Sequence, residues 1–207
     1  MSLPITQKQR AIELIAMQGT LRLADFTRAG VASETVARLV RDGSVLRLAR
    51  GLYQKEDPTN IDAHHVLVEA AVLVPKGVVC LISALQFHQL TLQMSSSVWM
   101  AIERGTWKPK VEYPSIRFAR FSGASMFEGI EIHKIEGIGV PIFDPAKTIV
   151  DCFRYRNKIG LDTALESLRE GLRRQRCTPD QLWRYARAAR IWSVMRPYVE
   201  AMASDGA

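Results

Sequence analysis

Four arginines stand where a reader of nucleic acid would need them: Arg38, Arg41, Arg47 and Arg50. A guanidinium presents a flat fork of donors that matches the edge of a guanine in two parallel hydrogen bonds, and it also holds a phosphate. Arg38 and Arg41 belong to Ser33-Glu34-Thr35-Val36-Ala37-Arg38-Leu39-Val40-Arg41-Asp42-Gly43. Val36, Leu39 and Val40 recur there at helical spacing, which leaves Glu34, Thr35, Arg38 and Arg41 on the other face. Ser33 is read as the N-cap and Gly43 as the stop. A helix presented this way fits a duplex major groove, where each good bidentate arginine adds about 1–3 kcal/mol of base discrimination, and Thr35 suits either a base or a phosphate. Arg47 and Arg50 fall on a short hairpin, Val45-Leu46-Arg47-Leu48, then Arg50-Gly51, then Leu52-Tyr53-Gln54, where phosphate or minor-groove contact is natural. The competing reading is a solvated polar face on a small docking domain. Two arginines on a capped third helix, together with two more on the hairpin, favour DNA over it.

Other residue sets invite catalysis less well. Asp144, Lys147 and Asp151 could hold a cation and stabilise an anion for phosphodiester cleavage. Asp144-Pro145 is better read as an N-cap and first helical residue, and Lys147 and Asp151 as a surface i,i+4 pair. Ser83 and His88 lack a glycine elbow and an orienting acid, so Ser83 is expected to cap a helix over 84–90, with His88 half-buried or polar on its surface. The three cysteines are odd in number and widely spaced, and the four histidines show no ligand spacing, so neither a disulfide framework nor a metal site is expected. No cofactor motif is present in the sequence.

A second basic set, Arg154, Arg156, Lys158, Arg169, Arg173 and Arg174, with Arg176, loads the helices after Pro145. It is either a solvated face or a second surface for nucleic acid. Trp183, Tyr185, Trp192 and Tyr198 stand among Arg184, Arg187, Arg190 and Arg196. Such aromatics can stack on unpaired bases, but Leu182, Ala186, Ala189 and Met195 at helical spacing favour core packing for the tryptophans.

The elements that must position these groups follow from periodicity. A helix from Thr6 to Gln18 ends at Gly19, a short one runs from Arg22 to Arg28, and the Ser33 helix and the hairpin complete a winged helix-turn-helix over residues 1–57. The polar stretch Glu56 to Asn60 is the linker candidate. Residues 58–207 then read as a second, α+β domain. It has a helix from Asp62 to Leu73, an apolar 78–82 segment that is either a strand or the start of the helix reaching His88, and strands at 97–102, 116–121, 130–135 and 140–143. Helices follow from Pro145 to Arg154, Asp162 to Arg176 and Pro179 to Met195. The chain has 207 residues, 47% of them hydrophobic, enough for two cores, and a formal charge of +7 suits a polyanionic partner. The N-terminus has no apolar leader and the longest apolar stretch, 66–82, is interrupted by Glu69, Pro75, Lys76 and Gly77, so a cytoplasmic protein without membrane association is expected.

These features together resemble the AbiEi family, the antitoxins of type IV toxin-antitoxin systems. The resemblance rests on Gly19-Thr20-Leu21-Arg22, Gly30-Val31-Ala32-Ser33, Arg38 to Gly43 and the Arg50-Gly51-Leu52-Tyr53 that closes the basic hairpin. In the second domain it rests on Leu81 to Leu90 and Asp144 to Arg156, so it spans roughly residues 6 to 176. It implies a winged helix-turn-helix followed by a mixed α/β antitoxin domain with a small sheet and C-terminal helices. It also implies a non-enzymatic autorepressor that binds inverted repeats in double-stranded operator DNA, and that neutralises a nucleotidyltransferase-like toxin without a stable complex. A stand-alone winged-helix regulator that senses a ligand, or a DNA-acting nuclease using the acidic positions, are the alternatives.

Overall fold

The computed structural model describes residues 6–49, 51–55, 63–109, 111 and 113–204. The fold is α+β, and the chain divides into two compact units: Met1–Pro75 with His133–Val140, and Lys76–Ile132 with Pro141–Ala207.

In the first unit, helix α1 (Gln7–Gln18) starts on a capping box. The Thr6 hydroxyl accepts from the Gln9 N–H at 3.2 Å, and the Gln9 side chain accepts from the Thr6 N–H at 3.1 Å. Strand β1 (Thr20–Arg22) leads into α2 (Leu23–Arg28), α3 (Ser33–Arg41) and the hairpin β2 (Val45–Ala49) and β3 (Leu52–Lys55). The three strands form one sheet in the order β1-β3-β2, antiparallel throughout, with Thr20 opposite Gln54 and Arg47 opposite Tyr53. Strand β1 has no signature in the sequence. At three residues it has no periodicity to show, and its pairing to β3 defines it. The core gathers Ala11, Ile15, Leu21, Phe26, Val31, Val36, Leu39, Val45 and Tyr53, with Phe26 and Tyr53 edge to face at 5.9 Å. Helix α4 (His65–Leu73) also belongs to this unit.

The second unit is built on a five-stranded sheet in the order β6-β5-β4-β8-β7. Its strands are β4 (Val78–Val79), β5 (Val98–Glu103), β6 (Ile116–Phe121), β7 (Ile130–Ile135) and β8 (Ile138–Phe143). The distal ends of β7 and β8 fall within the first unit. Strand β5 runs antiparallel to β4 and parallel to β6, and β4 runs parallel to β8. The 78–82 ambiguity resolves into both alternatives: two residues of strand, then α5 (Leu81–Phe87). A short α6 (Ala124–Phe127) separates β6 from β7. After the sheet come α7 (Pro145–Arg154), α8 (Arg156–Ile159), α9 (Leu161–Arg173), α10 (Pro179–Ala188) and α11 (Trp192–Ser204). Leu81, Leu85, Phe121, Phe143, Ile149, Phe153, Leu168, Leu182 and Met195 fill the core between sheet and helices.

Three expectations about this unit are corrected. Ser83 lies inside α5 rather than capping it, and its Oγ accepts from the Trp99 N–H at 2.9 Å. His88 is buried, and its Nε2 donates to the Phe143 carbonyl at 2.7 Å, an acceptor that fixes the tautomer. The expected helix from Pro179 to Met195 is two helices. Arg190 turns left-handed at φ 57° while the Ile191 N–H returns to the Ala186 carbonyl at 2.9 Å, which closes α10 as a helix normally closes on glycine.

Candidate nucleic-acid interface

Helix α3 is pinned from within. Val36 and Leu39 are fully buried, and truncation of such a leucine costs about 2–5 kcal/mol. Ser33 is exposed, but it is the first helical residue rather than the cap. Ala32 holds the cap position and provides no side-chain bond, and the Gln7 Oε1 takes over by accepting from the Ala32 N–H at 3.1 Å. Thr35 does not lie on the outer face. It is 6% exposed, and its hydroxyl donates to the same Gln7 oxygen at 3.0 Å. One glutamine on α1 therefore satisfies the N–H at the cap position of α3 and holds the Thr35 hydroxyl inward. No spacing rule signals a partner 25 or 28 residues away.

With Thr35 turned inward, the outer face of α3 carries Glu34, Ala37, Arg38 and Arg41, all exposed. Arg38 has no hydrogen bond or ion pair among the described residues. Arg41 is held loosely, 3.9 Å from Glu34 and with Nε 3.5 Å from the Ala37 carbonyl. Arg38 borders a cleft of about 440 Å³ lined also by Thr6, Gln7, Lys8, Thr35, Leu39 and Asp42. Lys8 bridges to Asp42 at 3.1 Å. Hydrogen bonds from Ser44 and then from Lys8 draw the Asp42 carboxyl down to about 2, so it stays ionised and keeps Lys8 beside the end of α3. Arg47 is exposed on β2. Arg50 lies outside the described residues. Arg38, Arg41 and Arg47 thus belong to one small unit of helix and hairpin, and Lys8 and Gln7 join it as residues that sequence reasoning missed.

The second basic set is less uniform. Arg154, Lys158, Arg169, Arg173 and Arg174 are exposed and Arg156 is half-buried. Arg173 and Arg174 both grip Glu170 at 2.7 Å, which holds that carboxyl below its usual range and cancels part of their charge. The Arg156 guanidinium donates to the Phe153 carbonyl at 2.9 Å, and Arg154 and Lys158 lie over the Phe121 and Tyr155 rings. Several members of the set therefore already have partners within the fold.

The acidic trio is also redistributed. Asp144 caps α7 as expected, accepting from the Lys147 N–H at 2.7 Å, and its other oxygen accepts from the Tyr185 hydroxyl at 2.6 Å. Lys147 and Asp151 are not a surface pair. They are 3% and 1% exposed and bonded to each other, with the ammonium 4.5 Å and 4.9 Å from the Phe143 and Phe121 ring centres. Burial pushes the Asp151 carboxyl up to about 6 against the pull of Lys147. Side chains so enclosed cannot present a cation to a phosphodiester. Among the described residues no three His, Cys, Asp or Glu converge as a metal-holding group.

A further polar cluster in the first unit escaped the sequence reading. His65 Nδ1 lies 2.8 Å from Glu136 Oε2, which also accepts from the Thr20 hydroxyl at 3.0 Å, and His65 Nε2 is 3.9 Å from Glu69. Burial raises the Glu69 carboxyl above its usual range. The cluster ties the β7–β8 turn to β1 and α4.

Residues 9–54 match a family model described as a transcriptional regulator, AbiEi antitoxin. The match covers the helices and hairpin that carry Arg38, Arg41 and Arg47, and it agrees with the resemblance drawn from the sequence. No curated protein matches the chain. Among solved structures, the crystal structure of the RV2827C protein from Mycobacterium tuberculosis is similar at a TM-score of 0.64 and 13% identity, over 97% of this chain and 78% of that one. At that identity the likeness concerns the fold alone. No helix among the described residues is long and apolar enough to cross a membrane.

Proposed function

We propose that this chain is an operator-binding autorepressor and the antitoxin of a type IV toxin-antitoxin pair. In this reading α3 enters the major groove of double-stranded DNA, with Arg38 and Arg41 against base edges. Ser33 at the start of the helix and Lys8 beside its end meet phosphates, and the hairpin with Arg47 and Arg50 lies along the flanking backbone or minor groove. Thr35 supports the helix from inside. The observation that carries the reading is a coincidence: the segment matching an AbiEi-type regulator is also the segment whose third helix exposes two arginines held by little else.

The antitoxin task falls to the second unit, acting on a nucleotidyltransferase-like toxin without forming a stable complex. The two tasks are separable by experiment. The full chain and an Arg38→Ala/Arg41→Ala variant are co-expressed with the toxin encoded beside it, and growth and promoter activity are both recorded. The expected result is rescue by both proteins and repression by the unmodified one alone. Failure of the unmodified chain to rescue growth would remove the antitoxin role, and full repression by the variant would remove the assigned DNA face. Point variants are better suited than a 58–207 fragment, because residues 63–75 and 133–140 belong to the first unit.

A further inference from the structure

Helix α10 turns one strongly apolar-cationic face outward. Its inner side is fixed by buried Leu182, Tyr185 and Ala186, by the Tyr185 bond to Asp144, and by a capping box at Thr178 and Gln181 followed by Pro179. The expectation that both nearby tryptophans pack inward holds for Trp192, which is half-buried against the core. It fails for Trp183, which is 44% exposed. The Arg187 guanidinium lies 4.9 Å from the Trp183 ring centre, one turn along the same face. Arg184 is exposed beside it, 5.1 Å from the Tyr185 ring. Arg190 follows at the helix end in the left-handed conformation, where a side chain is strained and glycine is the usual residue. Its guanidinium has no hydrogen bond or ion pair among the described residues. Within 179–190 these three arginines face one acid, Asp180.

An indole left in water beside a stacked guanidinium, on a helix too well anchored to turn it inward, has one partner chemistry that uses all of these groups. An unpaired nucleobase extends the stack, and the phosphates on either side of it meet the arginines. A paired base has its faces covered by its neighbours and offers no such surface. We propose that this face of α10 binds a single-stranded polynucleotide, with one base stacked on Trp183 and its backbone held by Arg184, Arg187 and Arg190. None of these groups lies on α3.

The test uses the full chain carrying Arg38→Ala, Arg41→Ala, Arg47→Ala and Arg50→Ala, so that the arginine contacts proposed for α3 and the hairpin on duplex DNA do not contribute. The probes are fluorescein-labelled 12-nucleotide oligo(U) and oligo(dT), with a 12-base-pair duplex for comparison. Trp183→Ala is expected to weaken single-strand binding roughly tenfold, and Trp183→Phe, which keeps a ring, to restore most of it. Replacing Arg184, Arg187 and Arg190 together with alanine should lower the slope of log affinity against log salt by about 2, as expected for three lost phosphate contacts on a single strand. Binding of the duplex as tight as that of the single strands would overturn the proposal, as would Trp183→Ala binding unchanged or Trp183→Phe binding as weakly as Trp183→Ala.

Discussion

Removing Lys147 should destabilise the protein in a manner that depends on pH. The ammonium sits between Phe121 and Phe143 and is the hydrogen-bond partner of Asp151, whose second carboxylate oxygen is buried with no partner among the described residues. In the folded chain Asp151 titrates near 6, against 3.8 for an unperturbed aspartate. A raised carboxyl favours folding while it is protonated, so its contribution is complete below about pH 4 and is lost as pH rises through 6. At 1.36 kcal/mol per unit, the shift of about two units amounts to roughly 3 kcal/mol across that window. Lys147→Ala removes the main group offsetting the burial of this charge, leaving only the weaker pull of Arg154, and leaving such a carboxylate without its bonded partner costs about 3–5 kcal/mol. At pH 8 the variant should therefore lose about that much stability in urea denaturation. At pH 5, where Asp151 is protonated in the parent and more so in the variant, the loss should be at least about 2 kcal/mol smaller, with the lost packing of the lysine stem remaining. Lys147→Met/Asp151→Leu, which removes both charges and keeps the volume, should lie within about 1 kcal/mol of the parent or above it. It should also retain toxin rescue. An equal loss at both pH values would refute the buried-pair argument, and loss of rescue by a stable double variant would restore a chemical role to these positions.

Other consequences follow from single contacts. Gln7→Ala strips α3 of its substitute cap and leaves the Thr35 hydroxyl buried without its acceptor, so thermal unfolding should report a loss of about 1–3 kcal/mol. Operator affinity should fall with it, although Gln7 itself need touch no base. A loss of stability without any change in DNA binding would show that the presentation of α3 does not depend on Gln7. Gly171→Ala should destabilise by about 1–3 kcal/mol, because the added methyl would meet the Ile149 Cδ1 at 2.5 Å and the Cys177 sulfur at 3.1 Å. Pairing it with Ile149→Val should recover part of that loss in the same urea titration.

Much of the frame is legible in the sequence because local patterns there coincide with tertiary burial. Val36, Leu39 and Val40 mark α3, the alternation of 116–121 and 130–135 marks β6 and β7, and Asp144-Pro145 marks the start of α7. What escapes is decided by distant partners. Thr35 looks outward by spacing, but Gln7 on α1 captures its hydroxyl. Lys147 and Asp151 have the spacing of a surface pair, and Phe121, from a strand well before them, closes over the ammonium together with Phe143 at the end of the strand that leads into α7. Trp183 has the composition of a core residue on an amphipathic helix, yet the register fixed by Leu182 and Tyr185 leaves it outside. The Glu136 cluster joins residues more than 70 positions apart and has no linear signature at all.

The roles proposed for α3 on base edges and for the hairpin on the backbone are separated by the salt dependence of affinity for operator and scrambled duplexes across Arg38→Ala, Arg41→Ala and Arg47→Ala. Each of the first two variants should lose about 1–3 kcal/mol on the operator and little on the scrambled duplex. Arg47→Ala should weaken both alike and lower the salt slope by about 1. Equal losses on operator and scrambled DNA for Arg38→Ala and Arg41→Ala would place both arginines on phosphates rather than on base edges.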